Sequence, residues 1–242
     1  MQGIVMVGDQ LKLHRKLIDR LAYAHDASMY RLVPEAVARP ENENEVKDLL
    51  EYAHSSGTSI TFRTAGTSLS GQSVTKGIIA EVVRGWKRHE ILDNGAAIQL
   101  QPGVIGGRAN LYLQSYHRRI GPDPASIESA MIGGIISNNS SGMVCGVKYN
   151  SYHTLRHIRF ILANGNCYDT SNADDYGKFL DVEKDLCTGL LLCRKEIETN
   201  STLKNKVRRK YSIKNTLGYS LNSFIDFNHP LDIFAHLLIG AE

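Results

Sequence analysis

The spacing of hydrophobic and polar residues predicts alternating strands and helices in the first half of the chain. Apolar positions at helical spacing predict helices over residues 11–21, 42–56 and 105–117. Short apolar runs predict strands over residues 36–39, 59–62, 77–83, 90–92 and 97–101. Asn94-Gly95 is typical of a hairpin turn between the last two strands, and Gly57 of a helix C-cap. The strand–helix–strand order predicts a βαβ-like unit.

The second half is predicted to contain one hairpin followed by helices. Strands are predicted over 156–162 and 167–169, and Asn164-Gly165 forms the turn between them. Helices are predicted over 183–199 and 202–210, and the apolar run 233–239 is predicted as a helix or a strand. No polar tail follows that run, so we expect the chain to be the N-terminal part of a larger enzyme.

The amino-acid composition and charge of the chain exclude several classes of function. The chain has 242 residues, 42% of them hydrophobic and 22% charged, which is ordinary for a globular protein. A net charge of +3 is too small to imply nucleic acid as a partner. Four cysteines, at 145, 167, 187 and 193, form no C-x-x-C pair, so neither zinc nor an iron–sulfur cluster is expected in this segment. The sequence has no apolar run of about 20 residues and no signal peptide pattern, so we expect a cytoplasmic protein.

The segment from Arg63 to Ser73 has the residue types of a phosphate-binding loop. Gly66 and Gly71 let the backbone bend close to a ligand, and hydroxyl and backbone N–H groups around them are donors for phosphate oxygens. The two glycines have the spacing of a nucleotide-triphosphate loop, but Gln72 replaces the lysine that such a loop requires. No G-x-G-x-x-G motif follows a strand. A plain polar connection remains the alternative interpretation.

A second stretch, residues 132–142, consists mainly of small residues and amides. Such a backbone suits a large ligand lying directly against it, whereas a tight helix–helix contact at Gly133 and Gly134 is the alternative. Two nearby side chains have reactive groups. We interpret His153 as a structural or cofactor-contact residue rather than a base, and Cys145 as an inert small side chain.

With these segments in order, residues 36–242 resemble the FAD-binding domain of the vanillyl-alcohol-oxidase/para-cresol-methylhydroxylase (PCMH) type, in particular the FAD-linked D-lactate dehydrogenase and glycolate oxidase branch. Four segments resemble the family's pyrophosphate loop, flavin-flanking segment, glycine-rich stretch and following strand: 63–71, 122–126, 132–142 and 146–165. Residues 149–154 and 211–219 are most similar to large bacterial proteins that join this domain to a C-terminal iron–sulfur domain. An iron–sulfur cluster is therefore expected only beyond this segment.

The resemblance implies an α+β fold of two α/β subdomains. One is a small parallel-strand unit with helices, and the other is a larger, mostly antiparallel sheet with helices. Residues 1–35 would form an N-terminal helical lead-in to the FAD-binding domain at 36–242. The resemblance also implies that FAD is bound by Thr64, Ala65, Gly66, Thr67, Ser68, Leu69, Gly71, Gln72, Pro122, Ser126, Gly133, Gly134, Ser137, Asn138, Ser141 and Gly142.

The implied reaction is oxidation of a D-2-hydroxy acid, with D-lactate expected first and D-2-hydroxyglutarate or glycolate as alternatives. FAD would be bound non-covalently, because Thr67 stands where berberine-bridge relatives have a histidine that bonds to it. Catalytic residues are expected in a missing C-terminal part. The electron acceptor (quinone, cytochrome or dye) is left open, as is peripheral membrane association of the full-length protein.

Two different functions are also compatible with a flavin domain of this kind. One is a UDP-N-acetylenolpyruvoylglucosamine reductase-like enzyme, which would use NADPH in the synthesis of cell-wall sugars. The second is a non-catalytic FAD-binding module that serves as a scaffold. The order of the motifs around residues 122–126 favours the 2-hydroxy-acid enzyme over the reductase.

Overall fold

A computed structural model describes residues 4–215 and 218–240, which divide into two compact units. The first unit consists of residues 1–120, 126–134 and 163–165, and the second of 121–125, 135–162 and 166–242. Within the described residues no helix is long and apolar enough to cross a membrane.

The first unit is built on a five-stranded sheet. Its strands are β1 (Ile4–Val7), β2 (Leu11–His14), β3 (Ala36–Ala38), β4 (Ile60–Arg63) and β5 (Ile78–Glu81), and the order across the sheet is β1-β2-β3-β5-β4. β5 pairs in parallel with both β3 and β4, while β2 is antiparallel to β1 and β3. Helix α1 (Leu17–Ala22) precedes β3, and helix α2 (Glu43–Ser56) connects β3 to β4.

Helix α2 is capped at both ends, and its C-cap at Gly57 is the one that the sequence predicts. At the other end, the Asn42 side chain accepts a hydrogen bond from the Glu45 N–H, and the Glu45 carboxylate accepts one from the Glu41 N–H. Gly57 ends the helix in the left-handed conformation. The helix buries Leu49 in a core with Leu13 and Ile78 from the sheet, and Ile60 at the start of β4 packs against this core.

The remaining elements of the first unit are β6 (His89–Leu92), β7 (Ala97–Leu100) and helix α3 (Gly106–Leu113). β6 and β7 pair as the predicted hairpin, in which Asp93, Asn94 and Gly95 all adopt positive φ. The helix predicted over 105–117 ends four residues early as an α-helix, because residues 114–116 continue as a 3-10 turn. Helix α4 (Ile132–Ser137) then opens the second small-residue stretch.

The second unit is mainly helical. It contains α5 (Ser151–Thr154), β8 (Arg159–Ile161), β9 (Cys167–Asp169), α6 (Ala173–Val182), α7 (Lys184–Thr199), α8 (Ser201–Tyr211), α9 (Ser223–Asp226) and α10 (Pro230–Leu237). The antiparallel pair β8–β9 packs with α6, α7 and α10 around Tyr168, Phe179 and Leu231. Among the described residues this unit's sheet has two strands, so the larger sheet lies in the first unit instead.

The helix predicted over residues 11–21 is wrong in its first half. Leu11 and Leu13 are buried and Lys12 between them is exposed, which is the period of a strand. The strand forms because Gly8 turns the chain back and β1 pairs with β2 along its length. The lead-in at residues 1–35 is therefore not purely helical, while its boundary at residue 36 stays a prediction. Helix α6, capped by Asn172, was not predicted.

Candidate functional site

The loop that follows β4 has the backbone shape predicted for a phosphate-binding segment. Gly66 has φ +68° and Gly71 has φ +81°, a region that side chains disfavour. A Cβ atom on Gly66 would lie 2.5 Å from the guanidinium of Arg63, and one on Gly71 would lie 2.7 Å from the ring of Tyr30. Both turns therefore favour glycine by conformation, and a larger residue at either position would displace the neighbouring side chain.

This loop leaves a run of backbone donors unused. Within the described residues no hydrogen bond is donated by the backbone N–H groups of Ala65, Gly66, Thr67, Ser68, Leu69 and Gly71. Successive N–H groups without an internal partner are available to donate to an anion such as a pyrophosphate. The residues present therefore fit the predicted ligand group.

Contacts within the loop and to the preceding chain hold this shape. The Ser68 hydroxyl accepts hydrogen bonds from the N–H groups of Ser70 (3.4 Å) and Gln72 (3.3 Å). The Ser73 hydroxyl donates to the Asp26 carboxylate at 3.0 Å. Burial alone would raise the pKa of Asp26, but the hydrogen bonds from Ser28 and Ser73 outweigh it and hold that pKa below its ordinary value. Sequence reasoning missed Asp26, which lies far from the loop in the chain.

Arg63, whose role the sequence left open, packs under the loop. Its guanidinium donates to the backbone carbonyls of Tyr23 (3.3 Å) and His25 (2.8 Å) and lies over the Tyr23 ring. Burial lowers the pKa of Arg63. These contacts give Arg63 a structural role in joining the loop to residues 23–25.

The start of α4 lies beside the same loop. A Cβ atom on Gly134 would be 3.4 Å from the Thr64 hydroxyl, and one on Gly133 would be 2.8 Å from Pro102 and 3.1 Å from the Thr64 methyl group. The two small-residue segments therefore meet within the first unit, as the predicted site requires. The glycines contact loop residues rather than another helix, so the alternative of a helix–helix contact does not describe them.

In the second unit, Asp123 organises the end of the small-residue stretch. Its carboxylate accepts hydrogen bonds from the backbone N–H groups of Gly142 (2.8 Å), Val144 (3.0 Å) and Cys145 (3.2 Å). Gly142 packs so closely that a Cβ atom there would overlap the Asp123 carbonyl oxygen. Sequence reasoning named Pro122 but missed Asp123; the available signal was an acidic residue between two prolines.

The structure describes the surroundings of the two nearby reactive side chains, whose roles stay predictions. The His153 Nδ1 lies 2.9 Å from the side-chain oxygen of Asn150, which caps α5. Burial, followed by the neighbouring Asp123, raises the pKa of the Cys145 thiol, so the thiolate is disfavoured. A cavity of about 480 Å³ in this unit is lined by His153 and Tyr152, but by none of the residues predicted to bind FAD.

The structure thus divides the predicted FAD-binding residues between the units. The first unit contains Thr64, Ala65, Gly66, Thr67, Ser68, Leu69, Gly71, Gln72, Ser126, Gly133 and Gly134. The second contains Pro122, Ser137, Asn138, Ser141 and Gly142. Close approaches are seen between Thr64 and Gly133–Gly134 in the first unit and between Gly142 and Asp123 in the second, and contact of all these residues with FAD stays a prediction.

Solved structures define the class of fold. Wild-type BBE-like 1 from Physcomitrella patens matches with a TM-score of 0.57 at 17% identity, covering 70% of this chain and 37% of that one. The 6-hydroxy-D-nicotine oxidase from Arthrobacter nicotinovorans matches with a TM-score of 0.55 at 20% identity, covering 70% and 36%. The α+β fold of the PCMH type is thereby confirmed.

Sequence comparison then gives the family. The FAD binding domain family matches residues 34–171, more than half of the chain, and the chain belongs to that family. The predicted cofactor, FAD, is therefore confirmed.

Curated relatives share a similar stretch. D-2-hydroxyglutarate dehydrogenase from Pantoea ananatis is 30% identical over 156 residues, covering 63% of this chain and 15% of the relative. Glycolate oxidase subunit GlcD from Bacillus subtilis is 31% identical over 155 residues, covering 62% and 33%. The matched stretch thus spans between about one seventh and one third of these relatives.

Proposed function

We propose that this chain is the FAD-binding part of an oxidoreductase that converts a 2-hydroxy acid to the corresponding 2-oxo acid. The observation that carries the proposal is the match, over about 155 residues, to relatives named D-2-hydroxyglutarate dehydrogenase and glycolate oxidase subunit GlcD. When bound, FAD supplies the acceptor for the hydride that leaves the substrate's α-carbon.

The role of this chain in that reaction is to hold and orient the cofactor. The unpaired N–H groups of residues 65–69 and 71 would bind the pyrophosphate. The glycines at 133, 134 and 142 allow the backbone to approach the rest of the cofactor without side chains in between. Binding would be non-covalent, since Thr67 offers no nucleophile comparable to histidine.

We propose that the arginine that binds the substrate and the base that takes its hydroxyl proton lie outside residues 1–242. His153 is not assigned as the base, because its Nδ1 contacts the Asn150 side chain within the α5 cap. D-lactate is the substrate expected from the sequence, while the names of the relatives favour D-2-hydroxyglutarate or glycolate. We retain the class, a small 2-hydroxy acid, as the proposal, with a cytoplasmic location and an open choice of electron acceptor.

The test uses the full-length protein purified with its bound cofactor. We expect flavin absorbance that is released by denaturation, and reduction of an artificial dye with at least one of D-lactate, D-2-hydroxyglutarate or glycolate. L-lactate serves as the stereochemical control. Reduction of the bound flavin by NADPH, but by no hydroxy acid, would replace the proposal with the NADPH-dependent reductase. Bound FAD without any reduction would favour the non-catalytic module.

A further inference from the structure

In the second unit, the Asp123 carboxylate accepts hydrogen bonds from three backbone N–H groups. The three N–H groups on its carboxylate all come from residues 142–145, and no side chain other than Asp123 bonds to the N–H groups of Gly142, Val144 or Cys145 among the described residues. An ionised carboxylate accepts such bonds at both oxygens. These three donors are therefore held by a single side chain.

We propose that Asp123 is a positioning residue for FAD, which holds residues 141–145 in their binding shape before the cofactor arrives. This inference rests on the proposed location of FAD against Ser141 and Gly142. A segment without regular secondary structure loses conformational entropy when a ligand orders it, and a prior constraint removes that cost from binding. The carboxylate thus contributes to affinity without touching the cofactor.

The charge and geometry of the site require aspartate in particular. Asparagine would keep one acceptor oxygen but would turn an NH₂ group toward a backbone donor. Burial alone would raise the pKa of Asp123, but the hydrogen bonds from Cys145, Gly142 and Val144 outweigh it and keep that pKa below its usual range. The group is therefore charged at neutral pH, which strengthens all three bonds.

A cation holds the same segment through its carbonyl groups. The Lys214 ammonium donates to the backbone carbonyls of Ser141 (2.8 Å) and Gly142 (3.3 Å). Donors and acceptors of one peptide stretch are thus held by opposite charges from two distant parts of the chain. The arrangement fixes the orientation of the peptide planes and not only their position.

The test compares Asp123→Asn with the wild type in the full-length protein. We expect the dissociation constant for FAD to rise about tenfold or more, because a backbone donor loses its partner and the segment loosens. Amide hydrogen exchange of residues 142–145 in the cofactor-free protein should accelerate. The visible circular dichroism of the flavin at saturating FAD should also change, since a looser segment orients the ring less well. Asp181→Asn, an exposed acidic residue on α6, is the matched control and should change none of these.

Lys214→Met removes the ammonium group that bonds to the carbonyls of Ser141 and Gly142. This variant keeps the inference testable if Asp123→Asn does not fold. It should raise the dissociation constant by a smaller factor, about threefold, with the same change in exchange. Faster exchange with unchanged FAD affinity and dichroism would show a purely structural role and overturn the inference. A wild-type protein without FAD affinity would overturn the proposed site itself, which is a distinguishable result.

Discussion

Two segments of the candidate site, residues 65–71 and residues 142–145, use their backbone donors in opposite ways. In residues 65–71 of the first unit most N–H groups are left unpaired, whereas in residues 142–145 of the second unit the carboxylate of Asp123 captures three. The first segment offers hydrogen bonds to an anion. The second has its donors already satisfied within the protein, and it leaves the side chains of Met143 and Val144 exposed. The two segments therefore differ in what they offer a ligand: free donors in the first, and a backbone that is already fixed in the second.

Gly142→Ala should give the largest loss of stability and FAD affinity, because the second segment has no room for a side chain at this position. The new methyl group would overlap the Asp123 carbonyl oxygen, and backbone atoms cannot rotate away as a side chain can. We expect a loss of about 1–3 kcal/mol in the free energy of unfolding and weak FAD binding. Urea denaturation and flavin titration measure both.

Gly189→Ala is the control for that substitution. Outside its chain neighbours and the backbone of its own helix, no atom lies within 4 Å of a Cβ atom placed on Gly189. This residue is in the interior of α7, so alanine there should stabilise the protein by up to about 1 kcal/mol. Wild-type stability in Gly142→Ala would contradict the close packing of Gly142 against Asp123.

Gly66→Ala should have the next largest effect on stability and FAD affinity, and it changes the first segment. A residue with φ +68° and a Cβ atom costs about 1–2 kcal/mol, and the methyl group would displace the Arg63 guanidinium. Gly57→Ala carries the same conformational penalty at φ +65° without neighbours. Both variants should lose stability, but only Gly66→Ala should lose FAD affinity; equal affinities would argue against the loop as the pyrophosphate site.

Ser73→Ala should have a smaller effect, since it removes one anchor of the first segment. Ser73 is buried and donates to Asp26, so alanine should cost about 1 kcal/mol and loosen the loop. Ser171→Ala removes a similar bond to Asp169 on an exposed surface and should cost less. An equal cost in thermal denaturation would indicate that burial of the Ser73 bond adds nothing.

The dependence of stability on pH should be the smallest of these effects, and it should involve one carboxylate beside each segment. Asp26 and Asp123 have pKa values below those of the unfolded chain. Their stabilisation is therefore complete above about pH 4 and is lost as the pH falls through the folded-state values. Urea midpoints between pH 3 and pH 6 should decrease toward acid, and the double variant Asp26→Asn/Asp123→Asn should flatten that slope. An unchanged slope would exclude these two carboxylates as its cause.

Local patterns predicted most of the regular structure. Helix α2 and its C-cap, strands β3 to β7, the hairpin β8–β9 and helices α7 and α8 follow the predicted order with shifted ends. The failure at residues 11–21 has a clear cause. Leucines there fit both a helical and an alternating pattern, and only pairing with β1 selects the strand.

For the site, the sequence by itself determined the chemistry of the two segments, because glycines and small hydroxyl residues are local properties of the chain. It also determined the family, through several motifs in one order. Only the tertiary structure revealed Asp26 under the first segment, and Asp123 and Lys214 around the second. These contacts join residues 19 to 73 positions apart, and no local pattern encodes which distant charge will fold onto a given backbone donor.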